Sequence, residues 1–456
     1  MPPKRSAKHE TLLAKLLKEL LKDYGQRAAY YKTTVCNSVK SCFRKAIEDD
    51  QPVTRLLVDP QDRKIVEYWA DNKLVYAFKK SEDDTSRRKD VRSKQLKDDK
   101  PLVKLLPLVE AIRAKRYTLL QEILVWDCYI ENDDMIALTG LFDKGCYLIT
   151  RVEFINCFLD VKSIGLLAAN ITQSKTLREL CLDFNDIGER GCHILCDGLV
   201  KSQCLVYLSL CFCGLTKQCG LWLGNVIAET AVRELILDGN FLEAEGTIDL
   251  LSRISDAANQ EGFERTEGIR KKQLLSEKTK SQGRIKLNNL TSVGEEHENN
   301  IDLEHTSPST PTPLSSIKSS AKSSKKKSSK GRKRGRKHKS KSLFPPSGPQ
   351  IAVLKLADND INHYGQDGNF TSVRCMQLIK SIISYSKDLR EIDLFGNDIG
   401  DLAARQILEG ILFRKDAKLS QIGVRLDHRI NQDTFDMVRK LASGPKKPKS
   451  RRKKKK

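Results

Sequence analysis

The phrase LRELCLDFNDI at Leu177 returns as LREIDLFGNDI at Leu389, and the same spacing of apolar residues recurs along much of the chain. Written LxxLxLxxNxL, the pattern puts apolar side chains at alternate positions, as one face of a short strand requires, and then turns at a polar residue. Five consecutive copies begin at Leu120, Ile149, Leu177, Leu205 and Val232, a period of 27–29 residues. Two more begin at Ile351 and Leu389, while VTRLLVDPQ at Val53 and LSQIGVRLDHRI at Leu419 read as degraded starting and end caps. A period of this length means stacked supersecondary units. The longer step between the units at Ile351 and Leu389 falls around NHYGQDGNF, which reads as a surface insertion.

The second half of each unit changes period. GERGCHILCDGLVKSQC and GDLAARQILEGILFRKD set apolar residues at helical spacing after a glycine, so each unit is strand, turn, helix. Helices are wider than strands, so stacking such units predicts an α/β solenoid, a horseshoe with parallel strands on its concave face and helices outside. Two or three units alone would leave apolar edges open, which favours one stack over two separate domains. The expected organisation is a helical cap region over 1–52, a first repeat block over 53–259, a disordered Ser/Lys-rich insertion over 260–350, a second block with its cap over 351–443, and a polybasic tail over 444–456. ETLLAKLLKELLKDYG places Leu12, Leu13, Leu16, Leu17, Leu20 and Leu21 on one helical face, suited to covering the first open edge.

These units resemble the ribonuclease-inhibitor type of leucine-rich repeat, also found at the receptor end of intracellular immune receptors. The resemblance covers roughly residues 100–260 and 350–430. It implies that the ninth template position forms a ladder hydrogen-bonding the turning backbone, here Asn185, Asn240, Asn359 and Asn397, with Cys128, Cys157 and Cys213 in the place of Asn.

With positions 1, 4, 6 and 9 in the core, alternation turns positions 3, 5 and 7 to the concave face. They carry Glu122, Glu153, Glu179, Asp183, Glu234, Asp238, Glu391 and Asp393 against Arg151 and Lys355, with Trp126, Tyr207 and Phe395 among them. An acidic face with aromatic anchors suits a basic segment of another protein and repels phosphates. Charged residues that merely keep a strand soluble are the competing reading.

The formal net charge is +22, and it sits in two places. Residues 315–342 contribute 13 Lys and Arg and residues 445–456 another 9, which leaves 59 basic against 59 acidic residues elsewhere. The anion-binding candidates are Lys325, Lys326, Lys327, Arg332, Lys333, Arg334, Arg336 and Lys337 in the first tract and Arg451, Arg452 and Lys453 in the second. Both tracts suit nuclear import, RNA or DNA, or acidic surfaces such as tubulin tails or anionic membrane, and the first also suits the chain's own acidic face. Neither interleaves the aromatic residues that a dedicated single-strand binder stacks on.

No stretch reaches the roughly 18 apolar residues of a membrane span, and the start lacks a signal-peptide core. Most of the 13 cysteines fall inside apolar repeat segments and read as reduced, buried thiols of the cytosol or nucleus. No P-loop, GxSxG, HExxH or dinucleotide-binding pattern occurs, and CHILC (Cys192, His193, Cys196) reads as core packing more than as a metal site. The expectation is a non-enzymatic scaffold with no cofactor, no metal and no small-molecule substrate. Its neutral body and basic ends resemble leucine-rich-repeat proteins of centrosomes and cilia; a nuclear or nucleolar protein binding RNA or DNA through its tracts is the alternative.

Overall fold

In the computed structural model the described residues are 11–60, 102–142, 145–288, 345–364 and 369–444. They form nine parallel strands in one sheet, and sequence order is spatial order throughout. The strands are β1 (Arg55–Val58), β2 (Glu122–Trp126), β3 (Arg151–Ile155), β4 (Glu179–Cys181), β5 (Tyr207–Ser209), β6 (Glu234–Ile236), β7 (Val353–Lys355), β8 (Glu391–Asp393) and β9 (Gly423–Arg425). Helices Asn132–Thr139, Val161–Ile171, Gly188–Leu199 and Cys219–Glu229 follow β2 to β5, and neighbouring helices pack on one another. The chain is a leucine-rich-repeat solenoid.

β6 pairs directly with β7, Glu234 opposite Val353 and Ile236 opposite Lys355, so the repeats on both sides of the insertion share one sheet. They fall in one compact unit, within Met1–Arg265 and Phe344–Lys456, while Thr266–Leu343 separates as a second. The template explains the core. In the unit at Leu177, positions 1, 4, 6 and 11 are Leu177, Leu180, Leu182 and Ile187, all buried. At position 8 the backbone turns left-handed in every one of the seven units, through Asp127, Asn156, Phe184, Phe212, Gly239, Asp358 and Gly396. That turn ends each strand and sends the chain toward its helix.

The first edge is covered by two helices, Leu12–Tyr30 and Asn37–Asp49. Thr11 caps the first, its hydroxyl accepting from Ala14 N at 3.1 Å. That helix buries Ala14, Leu17, Leu20, Tyr24 and Ala28, whereas Leu12, expected on the covered face, is 88% exposed because it sits in the first turn before the packed stripe begins. VTRLLVDPQ supplies β1, and the Tyr117 hydroxyl clamps its entry by accepting from Val53 N at 2.7 Å and donating to Val53 O at 3.0 Å.

Two boundaries differ from expectation. The helix that begins at Glu243 runs past residue 260 to Asn288, because its repeat segment leads into EGFERTEGIRKKQLLSEKTK, a stretch without proline and with helix-favouring Glu, Lys and Leu. At the other side, Gly348 N donates to Thr230 O at 3.0 Å and Arg233 to Gln350 Oε1 at 2.8 Å, so the chain joins the repeat stack before Ile351. Residues 289–344 and 445–456, with every anion-binding candidate, lie outside the described residues.

Candidate partner-binding face

The ninth-position ladder is built from buried amides. Asn185 Oδ1 accepts from Cys157 N at 2.9 Å and Leu159 N at 3.3 Å, while Nδ2 donates to Phe154 O and Leu182 O, both at 2.8 Å. Asn240 does the same for Cys213 N and Leu215 N, and Asn397 for Asn359 N and Ile361 N. Where cysteine takes the position, a thiol donates to one carbonyl: Cys157 to Val125 O at 3.2 Å, Cys213 to Leu182 O at 3.3 Å and Cys128 to Val58 O at 3.8 Å. Burial pushes all three thiols up, which keeps them protonated and donating. All 13 cysteines are unpaired, though Cys146 is exposed rather than buried. Cys192 and Cys196 turn into the core with their sulfurs 4.0 Å apart, whereas His193 turns outward against Trp222, so these three do not converge on one point.

The ladder fixes strand register, and register arranges the helix-free face in rows. Position 3 runs Arg55, Glu122, Arg151, Glu179, Tyr207, Glu234, Val353, Glu391 across β1 to β8. Its first four members alternate in sign: Arg55 lies 3.6 Å from Glu122 and Arg151 3.1 Å from Glu179. Arg390 pairs with Glu234, and Lys355 approaches Glu391 at 3.9 Å. Position 5 sets Asp393 beside Arg425, 3.2 Å apart. Opposite charges facing each other across strands contribute a few tenths of a kcal/mol to ~1 kcal/mol each.

The expected acidic face is therefore compensated at both ends. At positions 3, 5 and 7 of the intact units only Arg151 and Lys355 stand against it; Arg55 and Arg425 belong to degraded cap units and Arg390 occupies position 2. Comparing the caps position by position with intact units would have exposed Arg55 and Arg425. Glu153 and Asp393, expected to display charge, are buried at 5% and 6% exposure. Glu153 accepts from Arg151 Nε at 2.8 Å and from Trp126 Nε1 at 3.2 Å, which also engages the polar end of that aromatic anchor. Phe395 is likewise engaged, with the Arg425 guanidinium 4.0 Å over its ring.

The centre, β4 to β6, differs. Asp183 and Asp238 form no ion pair among the described residues. Each reaches the next unit instead: Asp183 Oδ1 accepts from Ser209 Oγ at 2.7 Å and Cys211 N at 2.8 Å, and Asp238 Oδ1 accepts from Ala357 N at 2.9 Å. The second bond joins residues 119 apart in sequence and staples the sheet across the insertion. Burial raises the Asp238 carboxyl; the Ala357 amide opposes this, Asp393 adds to it and Lys355 opposes it. Beside them the half-buried Tyr207 hydroxyl and Cys211 thiol are each pushed up to about 12, chiefly by burial. The centre thus sets two carboxylates that form no ion pair among the described residues beside a phenol and a thiol, an arrangement suited to holding a cation.

A second row lies at position 8, where the sequence template carries no signal. At position 8 the side chain of one unit reaches the next: Asn156 donates to Asp127 Oδ1 at 2.8 Å, the Phe184 and Phe212 rings stack at 4.9 Å and 8°, and the Phe212 ring lies over Gly239. Asp358 lies over Gly396 in the same manner. LxxLxLxxNxL assigns no residue type there, so pattern matching passes over it.

Parallel repeats with an amide and thiol ladder form a leucine-rich-repeat fold, and over part of its length the chain is similar to proteins of the ribonuclease-inhibitor type. Ribonuclease inhibitor of Mus musculus is 35% identical over 127 residues, which is 27% of this chain and 28% of that protein. The Sus scrofa protein of the same name is 34% identical over 127 residues, again 27% and 28%. NACHT, LRR and PYD domains-containing protein 5 of Bos taurus is 32% identical over 134 residues, 26% of this chain and 12% of its own length. The chain thus spans under a third of the length of these curated relatives. No family model matches it.

Proposed function

We propose that this chain is a non-enzymatic scaffold that holds a basic segment of a partner protein against the helix-free face of its sheet. The observation that carries the reading is the contrast along that face: carboxylates are ion-paired on β2, β4, β6 and β8, while Asp183 and Asp238 at its centre form no ion pair among the described residues. A charge left uncompensated between compensated ones directs an approaching cation to one place and repels anions there. The chain's similarity to ribonuclease inhibitors supports a binding role in kind. In this reading the lysine-rich tracts at 325–337 and 451–453 tether the scaffold electrostatically to an acidic surface such as tubulin tails in a centrosome or cilium.

A labelled hexa-lysine peptide tests the central claim by fluorescence anisotropy with the full chain. Asp183→Asn with Asp238→Asn keeps both oxygen acceptors for Cys211 N and Ala357 N and removes both charges. The double variant is expected to bind about tenfold more weakly at low salt, with the difference shrinking as salt screens it. Equal affinity for wild type and variant sinks the reading. For the tethers, neutralising 451–453 should lower microtubule retention; loss of RNA retention instead would favour a nuclear role through counterion release.

A further inference from the structure

Two aromatic residues stand on backbone that does not suit them. Phe184 and Phe212 have φ of 59° and 52°, a left-handed conformation that costs a bulky side chain about 1 kcal/mol or more. Elsewhere in the row the same turn carries Asp, Asn or Gly, which tolerate it. Core packing does not explain the exception, because the two side chains are 52% and 51% exposed. What the strain secures is an outward-facing pair of stacked rings. Directly before Phe184 stands Asp183; Asp238 stands directly before Gly239, which the Phe212 ring covers. The two uncompensated carboxylates therefore flank the aromatic step.

β8 and β9 bring the same chemical groups together at other template positions, the ring at position 7 and the carboxylate at position 5. There an aromatic ring, a carboxylate and a guanidinium meet: Arg425 stacks over Phe395 at 4.0 Å and pairs with Asp393 at 3.2 Å. At the centre of the face the ring and the carboxylate are present and the guanidinium is lacking among the described residues.

We propose that the Phe184–Phe212 step is an arginine-selective subsite, occupied by a guanidinium of the partner protein stacked on the exposed rings and paired to Asp183 or Asp238. This rests on the basic-segment reading above and narrows it. Guanidinium is planar, weakly hydrated and able to stack while donating to a carboxylate, whereas an ammonium is a strongly hydrated point charge. Charge alone would not distinguish the two.

The test compares labelled hexa-arginine with hexa-lysine on the full chain, in wild type and in Phe184→Gly/Phe212→Gly, whose glycines accept the left-handed turn and preserve folding. Hexa-arginine should bind wild type about tenfold tighter than hexa-lysine, and the double variant should abolish that preference by weakening hexa-arginine far more than hexa-lysine. Equal affinities in wild type, or a preference that survives the loss of both rings, overturn the subsite while the basic-segment reading stands. Failure of both peptides to bind overturns both. Self-association seen by sedimentation and lost in the glycine variant would assign the step to a second copy. Binding that emerges only in Arg451→Gln/Arg452→Gln would assign it to the chain's own tail. Either outcome overturns the proposal.

Discussion

The repeats before the insertion and those after it use one template under different constraints. Before it, the helices approach so closely that glycine is obligatory: a Cβ on Gly220 would run into the Gly246 backbone, and one on Gly198 into that of Ala168. After it, the corresponding Gly410 stands off, its Cβ position 3.1 Å from Lys380 O. Buried Arg414 helps set that second block by donating to Ile383 O at 2.8 Å, Ser386 O at 2.7 Å and Ser420 O at 2.7 Å, with burial holding its pKa down at about 10. The face differs too, since the first block carries the open aromatic step and the second a guanidinium already seated. At position 8 itself the first block carries Phe184 and Phe212 and the second Asp358 and Gly396, so equivalent positions share a fold role without sharing a chemical one.

The sharpest way to break this comparison is at the glycines. Gly198→Ala should cost about 3 kcal/mol, because its Cβ would overlap the Ala168 backbone, while Gly410→Ala, whose nearest backbone atom lies at 3.1 Å, should cost less than about 1 kcal/mol. Chemical denaturation of both variants decides it, and equal losses would erase the distinction between blocks. Next in size is the ladder. Asn240 satisfies two amides and two carbonyls, whereas Asn359 leaves its Oδ1 without a partner among the described residues. Asn240→Ala should therefore lose about 3 kcal/mol and Asn359→Ala about 1 kcal/mol less, since fewer buried groups are orphaned.

The position-8 row predicts a coupling of roughly 1 kcal/mol. Gly239→Ala should destabilise, because φ is 73° and the Phe212 ring occupies the space of a Cβ. Phe212→Ala in the same chain should recover the part due to collision and leave the part due to backbone strain. At Gly396 the obstacle is the Asp358 carboxylate, so Phe212→Ala should rescue nothing there.

The smallest expected effect is one of sign with pH. Burial raises Asp238, so the folded chain retains a proton that the unfolded chain has released, and this group's contribution falls as pH climbs above the ordinary carboxylate range. Asp238→Asn should gain melting temperature relative to wild type as pH rises from about 4 to 7. Asp427 is the reverse case: hydrogen bonding from Arg429 lowers it, so its contribution is present above the ordinary range and is lost as pH falls. Asp427→Asn should lose most at neutral pH and little in acid.

Much of the fold was legible because its signals are local. Alternating Leu177, Leu180 and Leu182 names a strand face without reference to any other unit, and the recurrence at Ile351 and Leu389 points to a shared stack. The caps were legible in outline, although Leu12 lies outside the covered stripe and the helix from Glu243 overruns its expected end. The site was legible only as a set of residues. Glu153 and Asp393 have the composition of a binding face yet are buried against Trp126 and Arg425, partners whose nearness depends on the neighbouring strand.

Sequence by itself determined the unit: period, strand, turn, buried amide or thiol, helix. Those depend on side-chain alternation and backbone hydrogen bonds within one repeat or between a repeat and its neighbour in template register. Tertiary structure decided which charges are paired, because ion pairing is set by distances of a few ångström between residues far apart in the chain, as in Arg151 with Glu179 or Arg390 with Glu234, the latter 156 apart. It also decided that Phe184 and Phe212 stack outward, since a left-handed turn is a property of the fold's curvature requirement at position 8 and not of phenylalanine.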